Sequence, residues 1–436
     1  MTAPETRPVF HPDYKNEPYW WETAARPVLP EQPLPAKADI VVVGSGYTGL
    51  MAALVAARAG REVIVLDAES AGWGCSTRNG GQVSTSIKPS FAELSARHGA
   101  ESALAILREG HEALAFLAEF IAAETIDCQF ERVGRFAGAH NSTAYEHQAR
   151  ALKAQPRQLP TEAHMVPRAE QRAELGSDYY RGGCVFPHHA ALDPAAYHLG
   201  LLGRVRAAGA RIHAHCPATD IAREGDGFRV TTPRGTVIAR QVAIASNGYT
   251  GRLTPWLRRR VIPIGSYMIA TEPIEPALMD RLMPKNRVVS DTRKLVYYYR
   301  ASPDRRRVLF GGRVAFKETD PRLSAPRLHA AMCEIFPELA PTRVTHSWMG
   351  FVAYTFDTLP HTGSHDGLHY AMGYCGSGVS LASYFGWRLG HKLLGGAEGR
   401  TALDGISYPT RPFYTGNPWF LGAAIAWYRI KDRINL

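Results

Sequence analysis

The segment from residue 38 to residue 67 constrains the fold of this chain more than any other stretch. It contains a β-branched run, a turn with Gly44, Gly46 and Gly49, a helix rich in alanine, and a second β-branched run ending at Asp67. These glycines permit a sharp turn, close approach of a pyrophosphate, and close packing of helix on strand. The segment therefore predicts a dinucleotide-binding βαβ unit, in which Asp67 accepts hydrogen bonds from a ribose.

The composition favours a cytoplasmic enzyme of 436 residues with one or two large cores. A net charge of +10 favours anionic ligands, but basic residues form only short clusters at 258–260 and 305–307, which argues against nucleic acid. The six scattered cysteines predict neither a metal site nor a disulfide framework. The first 37 residues lack the apolar core of a signal peptide, and no apolar run approaches the roughly 18 residues of a membrane span.

The prolines and aromatic residues of segment 1–36 predict an extended arm that lies on the rest of the protein. Tyr19, Trp20 and Trp21 are expected to anchor it. A loop of glycines and small polar residues follows Asp67. Its side chains can donate hydrogen bonds to phosphate or to the edge of a flavin, and its arginine can compensate charge. The alternative is a solvated surface loop. The donors are Ser76, Thr77, Arg78 and Asn79.

A second strand, glycine turn and helix is predicted near the C-terminus. A strand is predicted from His369 to Met372, and three glycines precede a predicted helix that begins at about Val379. Another strand ends at Asn247 and Gly248, at the sheet edge where cofactors bind. Two such modules suit a long cofactor held at both ends, such as FAD. The three glycines are Gly373, Gly376 and Gly378.

The remaining pattern predicts helices, a strand pair and an antiparallel sheet. The tyrosines at 297–299 place a phenol on each face of that sheet, so one face can cover a ligand pocket; ordinary sheet aromatics are an equally good interpretation. The predicted helices cover 91–123 and 194–208, the strand pair 128–139, and the further strands 211–215, 218–224, 228–232, 237–244, 266–271, 294–300 and 308–313.

On these motifs the chain resembles the flavoprotein family of D-amino-acid oxidase, glycine oxidase and sarcosine oxidase, and most closely its γ-glutamylputrescine oxidase-like branch. The similar segments are spread over residues 38–382. The two glycine modules are common to many FAD enzymes, whereas two further segments are more specific. These are the loop GWGCSTRNGGQ and the run WMGFVAYTFDTLPHTG at 348–363.

The resemblance implies an α/β fold, with a non-contiguous Rossmann-like FAD-binding domain and an antiparallel-sheet substrate domain. The implied divisions are an arm at 1–36, an FAD-binding domain at 37–90, 160–261 and 345–396, a substrate domain at 91–159 and 262–344, and a tail at 397–436. Motifs and resemblance together predict that FAD is bound by Gly44, Ser45, Gly46, Tyr47, Thr48, Gly49, Asp67, Ala68, Ser76, Thr77, Arg78, Asn79, Gly80, Gly81, Gln82, Ala218, Ser246, Asn247, Gly248, Gly350, Gly373, Gly376, Ser377, Gly378 and Val379.

Three departures from the family pattern bear on the substrate and on the flavin. Val352 stands where glycine oxidase has a carboxylate-binding arginine, and Gly350 where monomeric sarcosine oxidase attaches its flavin through a cysteine. Ser380 replaces the substrate-binding lysine of the latter enzyme. We therefore expect non-covalent FAD and a different anchor for any substrate carboxylate. The pocket candidates are Tyr267, Tyr298, Arg300 and Arg313, and Lys294 is a candidate for oxygen activation.

The expected reaction is oxidation of a carbon–nitrogen bond in an amine or amino acid, with hydride passing to FAD and oxygen reduced to hydrogen peroxide. The substrate is a γ-glutamylated polyamine or a small carboxylated secondary amine such as iminodiacetate. One alternative is a dehydrogenase that passes electrons to a membrane quinone, with the tail from Trp419 to Leu436 as an interfacial helix. We favour packing of this tail on the protein. A non-catalytic FAD-binding scaffold is the third interpretation.

Overall fold

A computed structural model describes residues 8–313 and 318–434. The first seven residues of the predicted arm, residues 314–317 of the predicted substrate domain and the last two residues of the predicted tail lie outside this range. The helices are α1 Trp20–Thr23, α2 Tyr47–Arg58, α3 Phe91–His98, α4 Ala100–Ala123, α5 Ser142–Lys153, α6 Pro194–Ala207, α7 Pro255–Arg258, α8 Pro276–Leu282, α9 Pro321–Ile335, α10 Gly378–Leu393 and α11 Leu421–Ile434.

The same residues form two main sheets and a short two-stranded one. The strands are β1 Phe10–Lys15, β2 Lys37–Val43, β3 Val63–Leu66, β4 Gln82–Val83, β5 Arg135–Gly138, β6 His164–Val166, β7 Gly183–Phe186, β8 Ala190–Ala191, β9 Arg211–His213, β10 Asp220–Glu224, β11 Gly227–Thr232, β12 Gly235–Ile244, β13 Ile262–Thr271, β14 Val288–Asp291, β15 Tyr298–Ala301, β16 Val308–Gly312, β17 Val344–Tyr354, β18 His361–His365 and β19 Leu368–Met372.

The first sheet, here called the nucleotide sheet, has a parallel centre. Strands β19, β12, β2, β3 and β9 lie side by side in parallel, and the antiparallel strands β18, β10 and β11 extend it. The apolar β-branched run of β2 is central because both of its faces are covered. Val43, Leu66 and Ile244 share one register row at the carboxyl ends of their strands. The two predicted glycine turns therefore leave the sheet at the same edge.

Helices α2, α4, α6 and α10 form one apolar layer over this sheet. The crossing of α2 and α10 is close because α10 carries glycine at two positions one turn apart. A Cβ atom at Gly386 would lie 2.6 Å from the Thr48 carbonyl oxygen, and one at Gly390 would lie 2.6 Å from Cβ of Val55. Backbone packing at this crossing fixes the start of α10 relative to the start of α2.

The second sheet, here called the mixed sheet, runs in the order β1, β17, β13, β16, β15, β14, β5, β7, β6. Alternate residues of its strands point to opposite faces. Tyr267 and Tyr299 pack in the core with α9, whereas Met268 and Trp348 pack with Trp20 on the other face. This second face is directed toward the carboxyl edge of the nucleotide sheet, and we call it the inner face.

The mixed α/β architecture is as predicted, but two local predictions are wrong. The strand predicted at 294–300 begins only at Tyr298, because the Asp291 carboxylate accepts the N–H groups of Arg293 and Tyr297 and holds a turn there. The strand pair predicted at 128–139 is also not formed: this segment contains one strand, β5, and an isolated β-bridge of Glu131 with Ala191. Gly134, with φ of +70°, interrupts the extended conformation between the bridge and β5.

The two sheets also divide the chain differently from the boundaries expected above. Strands β6, β7 and β17 belong to the mixed sheet, although their residues fall within the ranges assigned to FAD binding. Helix α4 falls within the range assigned to the substrate domain, yet its apolar residues pack in the helical layer of the nucleotide sheet. Local periodicity predicts that α4 is amphipathic but does not specify which surface covers it.

The described part of the arm contains regular structure as well as the predicted aromatic anchors. Strand β1 pairs in parallel with β17, and Trp20 in the short helix α1 is fully buried. The tail contains α11. Among the described helices, none has the length and apolar character needed to cross a bilayer.

Candidate active site

The first glycine turn has the predicted geometry. Gly44 adopts φ of +107° at the end of β2, and a Cβ atom at Gly49 would collide with the Gly44 carbonyl oxygen. A side chain at Gly49 would therefore push α2 away from β2. The first helical N–H group, that of Tyr47, donates to Ser76 Oγ at 3.0 Å. The loop predicted to bind phosphate thus lies directly over the helix N-terminus, where an anion is stabilised.

Asp67 and His198 hold this turn from two sides. The Asp67 carboxylate accepts from the Ser45 N–H at 2.7 Å and from Ser45 Oγ at 2.5 Å. His198, buried in α6, places Nε2 2.8 Å from the Ser45 carbonyl oxygen. Because that oxygen can only accept, Nε2 carries the proton. Burial lowers the pKa of His198, which keeps the ring neutral. The ribose contact of Asp67 stays a prediction.

The second glycine turn is bonded to the first. The Gly373 N–H donates to Asn247 Oδ1 at 2.9 Å, which joins the ends of β19 and β12. The hydroxyl groups of Thr48 and Tyr374 lie 2.7 Å apart and join the starts of α2 and α10. The ends of the two predicted modules are therefore held in a fixed relation.

The loop after β3 is fixed by its own amide group and by the arm. Asn79 Nδ2 donates to the carbonyl oxygens of Cys75 and Ser76, and Asn79 Oδ1 accepts from the Gly81 N–H. From the arm, Trp20 Nε1 donates to the Asn79 carbonyl oxygen at 2.8 Å, and Trp21 Nε1 donates to Thr77 Oγ1 at 2.9 Å. The side chains of Thr77 and Asn79 are thus bonded to protein.

Arg78 is held between two tryptophans. Its guanidinium lies 4.7 Å from the ring centre of Trp21 and 4.5 Å from that of Trp73. Nε donates to the Trp73 carbonyl oxygen at 2.6 Å and Nη1 to that of Met349 at 3.2 Å. Arg78 therefore connects the loop to β17, and its contact with phosphate stays a prediction.

Tyr298 lies where the sequence suggests, on the inner face of the mixed sheet. A Cβ atom at Gly80 would lie 3.1 Å from the Tyr298 ring, so the loop and the sheet are in contact. The hydroxyl groups of Tyr298 and Ser266 lie 2.8 Å apart. Burial raises the pKa of Tyr298, so the phenol is protonated at neutral pH. This contact brings the mixed sheet over the carboxyl edge of the nucleotide sheet.

The three other pocket candidates are bonded to groups of the protein. The Tyr267 hydroxyl donates to Glu318 at 3.0 Å, and Arg313 Nη1 lies 2.9 Å from the same carboxylate. Arg300 is buried on the inner face, but it donates to the carbonyl oxygens of residues 81, 192 and 301. Lys294 is exposed in the turn before β15. Arg300 is thus occupied by backbone carbonyl oxygens. Contact of Tyr267 or Arg313 with a substrate, and of Lys294 with oxygen, stays a prediction.

The three family departures are accommodated by local packing. A Cβ atom at Gly350 would lie 3.3 Å from Arg78 Cβ and 3.4 Å from Cys75 Sγ. Burial raises the pKa of Cys75 to about 11, so this thiol is protonated at neutral pH. Ser380 Oγ donates to the Ser84 carbonyl oxygen at 2.9 Å and ties the start of α10 to β4. Val352, partly buried, lies on β17 opposite Ile264.

The remaining predicted residues border the same edge or the adjoining strands. Gln82 Nε2 donates to the carbonyl oxygens of Val289 and Tyr299, and Ser246 Oγ lies 2.8 Å from Thr250 Oγ1. A Cβ atom at Gly248 would lie 2.9 Å from the Phe351 carbonyl oxygen. Ala68 follows β3, Ala218 lies between β9 and β10, and Ser377, Gly378 and Val379 form the first turn of α10.

The exposed backbone at the start of α10, here called the opening, is bordered by a residue that no motif indicates. Gly376 is exposed, and a Cβ atom there would lie 3.9 Å from the Tyr354 hydroxyl and 4.0 Å from Lys88 Nζ. Lys88 is also exposed, and its ammonium lies 5.8 Å from the Tyr354 ring centre. Within the described residues, no carboxylate lies within salt-bridge distance of Lys88. An anion at this opening would meet an unpaired cation.

These residues fit FAD. The glycine turn at β2 leads directly into the start of α2, where a pyrophosphate is stabilised, and the backbone of Gly376 before the start of α10 is exposed. Both lie on one sheet edge, joined through Thr48 and Tyr374. In the described part of the chain, no group of three or more histidine, cysteine or acidic residues could hold a metal.

Comparison with known proteins agrees with this geometry. The family model described as DAO, FAD dependent oxidoreductase, matches residues 39–391. A probable oxidoreductase OrdL of Rhizobium meliloti is 32% identical over 95% of this chain and 97% of its own length. A gamma-glutamylputrescine oxidoreductase of Escherichia coli is 31% identical over 91% of this chain and 93% of its own length.

Solved structures share the fold at low sequence identity. Glycine oxidase from Geobacillus kaustophilus aligns with a TM-score of 0.71 and 18% identity, over 87% of this chain and 99% of that one. Iminodiacetate oxidase from Chelativorans sp. BNC1 aligns with a TM-score of 0.67 and 16% identity, over 85% of this chain and 98% of that one. Both similarities concern the fold.

Proposed function

Because the chain belongs to the DAO family of FAD-dependent oxidoreductases, we propose that it oxidises the carbon–nitrogen bond of a carboxylated amine. Amine, water and oxygen give an aldehyde or oxo acid, the released amine or ammonia, and hydrogen peroxide. We also propose that the nucleotide sheet with its helices binds FAD and that the mixed sheet binds the substrate.

The contact between Gly80 and Tyr298 carries this proposal. It places the inner face of the mixed sheet against the loop that lies over the first glycine turn. A ligand held at the carboxyl edge of the nucleotide sheet is thereby covered by a second sheet. This arrangement suits a redox reaction between two ligands shielded from water.

The protein's own groups bind and orient the reactants. Bound FAD would supply the hydride acceptor for oxidation of the substrate carbon. The neutral phenol of Tyr298 is held by Ser266 and offers a fixed polar group on the inner face. Met268 and Trp348 are buried with Trp20 on that face and make this part of it apolar. Positioning by such groups can lower the barrier without a side-chain base.

We propose that Lys88 binds the substrate carboxylate. The two expected substrate classes, γ-glutamylated amines and small secondary amines with carboxylates, share this group. Lys88 is unpaired among the described residues and reaches the opening beside Gly376, whereas Arg300 is occupied by carbonyl oxygens. A relative of similar length is named for gamma-glutamylputrescine, which supports the first class.

The electron acceptor defines a second candidate function. A dehydrogenase would pass electrons to a membrane quinone instead of oxygen. The observation that favours it is the exposed aromatic surface of the tail, where Trp419 is 71% and Trp427 is 53% exposed. Oxygen is the simpler proposal because it needs no second docking site.

A stoichiometric assay separates the two acceptors. The purified FAD-loaded protein would be given γ-glutamylputrescine or iminodiacetate, with oxygen uptake and peroxide followed together. One peroxide formed for each oxygen consumed supports the oxidase. Turnover with a soluble quinone analogue, and none with oxygen, would support the dehydrogenase and reject the oxidase.

A further inference from the structure

Exposed large apolar side chains are concentrated in the tail. Eight such residues occur among the described part of the chain, and five of them lie between residues 413 and 430. Single exposed apolar residues are ordinary, but five within one short segment indicate an interaction surface. The five, here called the tail patch, are Phe413, Trp419, Trp427, Tyr428 and Ile430.

The orientation of α11 is fixed by its inward face. Ile425 is buried, and Asp432, seven residues later and hence on the same face, accepts the N–H groups of Lys294 at 2.9 Å and Leu295 at 3.3 Å. The opposite face carries Ala423, Trp427 and Ile430, spaced by four and three residues, and all three are exposed. The contact that docks the helix thus directs an apolar stripe away from the protein.

The surroundings of the tail patch are positively charged. Residues 411–436 contain four basic residues and one acidic residue. Lys431 Nζ lies 5.3 Å from the Trp427 ring centre. The preceding segment packs on the basic run at 258–260: Arg260 Nε donates to the Tyr408 carbonyl oxygen at 2.9 Å, and Thr410 Oγ1 donates to the Arg259 carbonyl oxygen. Cations therefore lie on the helix and on the surface that contacts the segment before the tail patch.

We propose that the tail patch docks on an anionic phospholipid surface. An apolar stripe with aromatic residues and neighbouring cations is the pattern of a helix that lies in the membrane interface. Lysine can reach the headgroups while its methylenes contact the apolar layer. The 14 residues of α11 span about 21 Å, too short to cross the hydrocarbon core, so the helix lies along the surface.

Charge selects this occupant over a second copy of the chain. Two copies meeting through this patch would bring like charges together, whereas an anionic leaflet attracts each cation near its surface. The net charge of +10 acts in the same direction at longer range. The inference is independent of which amine is oxidised and of the electron acceptor.

Vesicle flotation of the FAD-loaded protein tests the proposal. We expect flotation with vesicles of phosphatidylcholine and phosphatidylglycerol, little with phosphatidylcholine alone, and a decrease as salt is added. The double variant W427E/I430E should lower the bound fraction at least about tenfold, and K431E should lower it less. The matched control is L323E, since Leu323 is 69% exposed on α9, outside the tail patch.

Binding to neither vesicle, or equal binding by wild type and W427E/I430E, would overturn the proposal. So would a concentration-dependent dimer that the double variant abolishes, because a second copy would then be the occupant. Retained flavin and an unchanged melting temperature establish that each variant is folded. The readout is binding, so a failed amine assay does not affect it.

Discussion

At the scale of single residues, Gly49 shows how strongly the first turn depends on backbone contact. A methyl group at this position has no space, because the Gly44 carbonyl oxygen lies where Cβ would be placed. Moving that carbonyl would also move the Ser45 N–H that Asp67 accepts. The glycine is therefore required by packing between helix and strand.

We predict that Gly49→Ala lowers the free energy of unfolding by about 3 kcal/mol and weakens FAD binding at least about tenfold. Chemical denaturation and flavin fluorescence titration measure the two effects. The control is Gly203→Ala in α6, where a Cβ atom would meet nothing within 4 Å. That change should stabilise the helix by about 0.5–1 kcal/mol. Equal stability of the two variants would contradict the packing argument.

His198 makes the first turn sensitive to acid. Burial lowers its pKa, so as pH falls below about 6.5 the unfolded chain binds a proton that the folded chain does not. The free energy of unfolding should therefore decrease, by at most about 1.4 kcal/mol per pH unit from this residue. His198→Gln keeps an N–H donor for the Ser45 carbonyl oxygen but does not titrate. Urea unfolding at about pH 7.5 and 5.5 should show a smaller loss for the variant; an identical loss would exclude His198 as the cause.

Lys88 allows a test of substrate recognition. Lys88→Met removes the charge while keeping much of the side-chain length, so KM for iminodiacetate should rise at least about tenfold with a smaller change in kcat. Lys37→Met is the matched control because Lys37 is exposed at the start of β2, at the end of that strand opposite the carboxyl edge. Steady-state kinetics measure both variants. An unchanged KM in Lys88→Met, or an equal rise in Lys37→Met, would show that the assignment of Lys88 is wrong.

At the scale of elements, the arm is part of the candidate site. Trp20 is fully buried against the inner face of the mixed sheet, and its indole N–H is bonded to the Asn79 carbonyl oxygen. Trp21 is bonded to Thr77 in the same loop. The arm therefore supports the loop that lies over the first glycine turn.

We predict that Trp20→Ala lowers the free energy of unfolding by about 3–5 kcal/mol and increases proteolysis of the loop after β3. Val28→Ala in the same arm is the control, since Val28 is 97% exposed and should change stability by less than about 0.5 kcal/mol. Denaturation and limited proteolysis of both variants provide the measurement. A stable Trp20→Ala variant with a protected loop would show that the arm is dispensable.

Local motifs predict the two glycine turns because their requirements lie within a few consecutive residues. Sequence also predicts that neighbouring tyrosines face opposite sides of a sheet, and the structure puts Tyr298 inward and Tyr299 in the core with α9. Contacts between distant residues leave no such signal. His198 lies 153 residues from Ser45, and Thr48 lies 326 residues from Tyr374. The sequence signal for the close crossing of α10 with another helix is the pair Gly386 and Gly390. This signal does not identify α2 as the helix that α10 crosses.

At the scale of the whole molecule, the fold brings two distant glycine turns to one edge and places a second sheet over them. The order of strands in each sheet depends on long-range pairing, which explains why the expected boundaries differ from the sheets at β6, β7 and β17. The region between the inner face of the mixed sheet and the carboxyl edge of the nucleotide sheet is therefore formed by segments that are distant in sequence. The central prediction for the whole protein is that electrons pass from an amine to bound FAD.

Anaerobic mixing of the FAD-loaded protein with a panel of amines tests this claim most directly. The panel contains γ-glutamylputrescine, iminodiacetate, sarcosine, and D- and L-amino acids, and the absorbance of oxidised flavin is followed. We predict rapid loss of this absorbance with a carboxylated amine and its return when air is admitted. Unchanged absorbance with every amine, in a protein whose flavin is reduced by dithionite, would contradict the proposed chemistry.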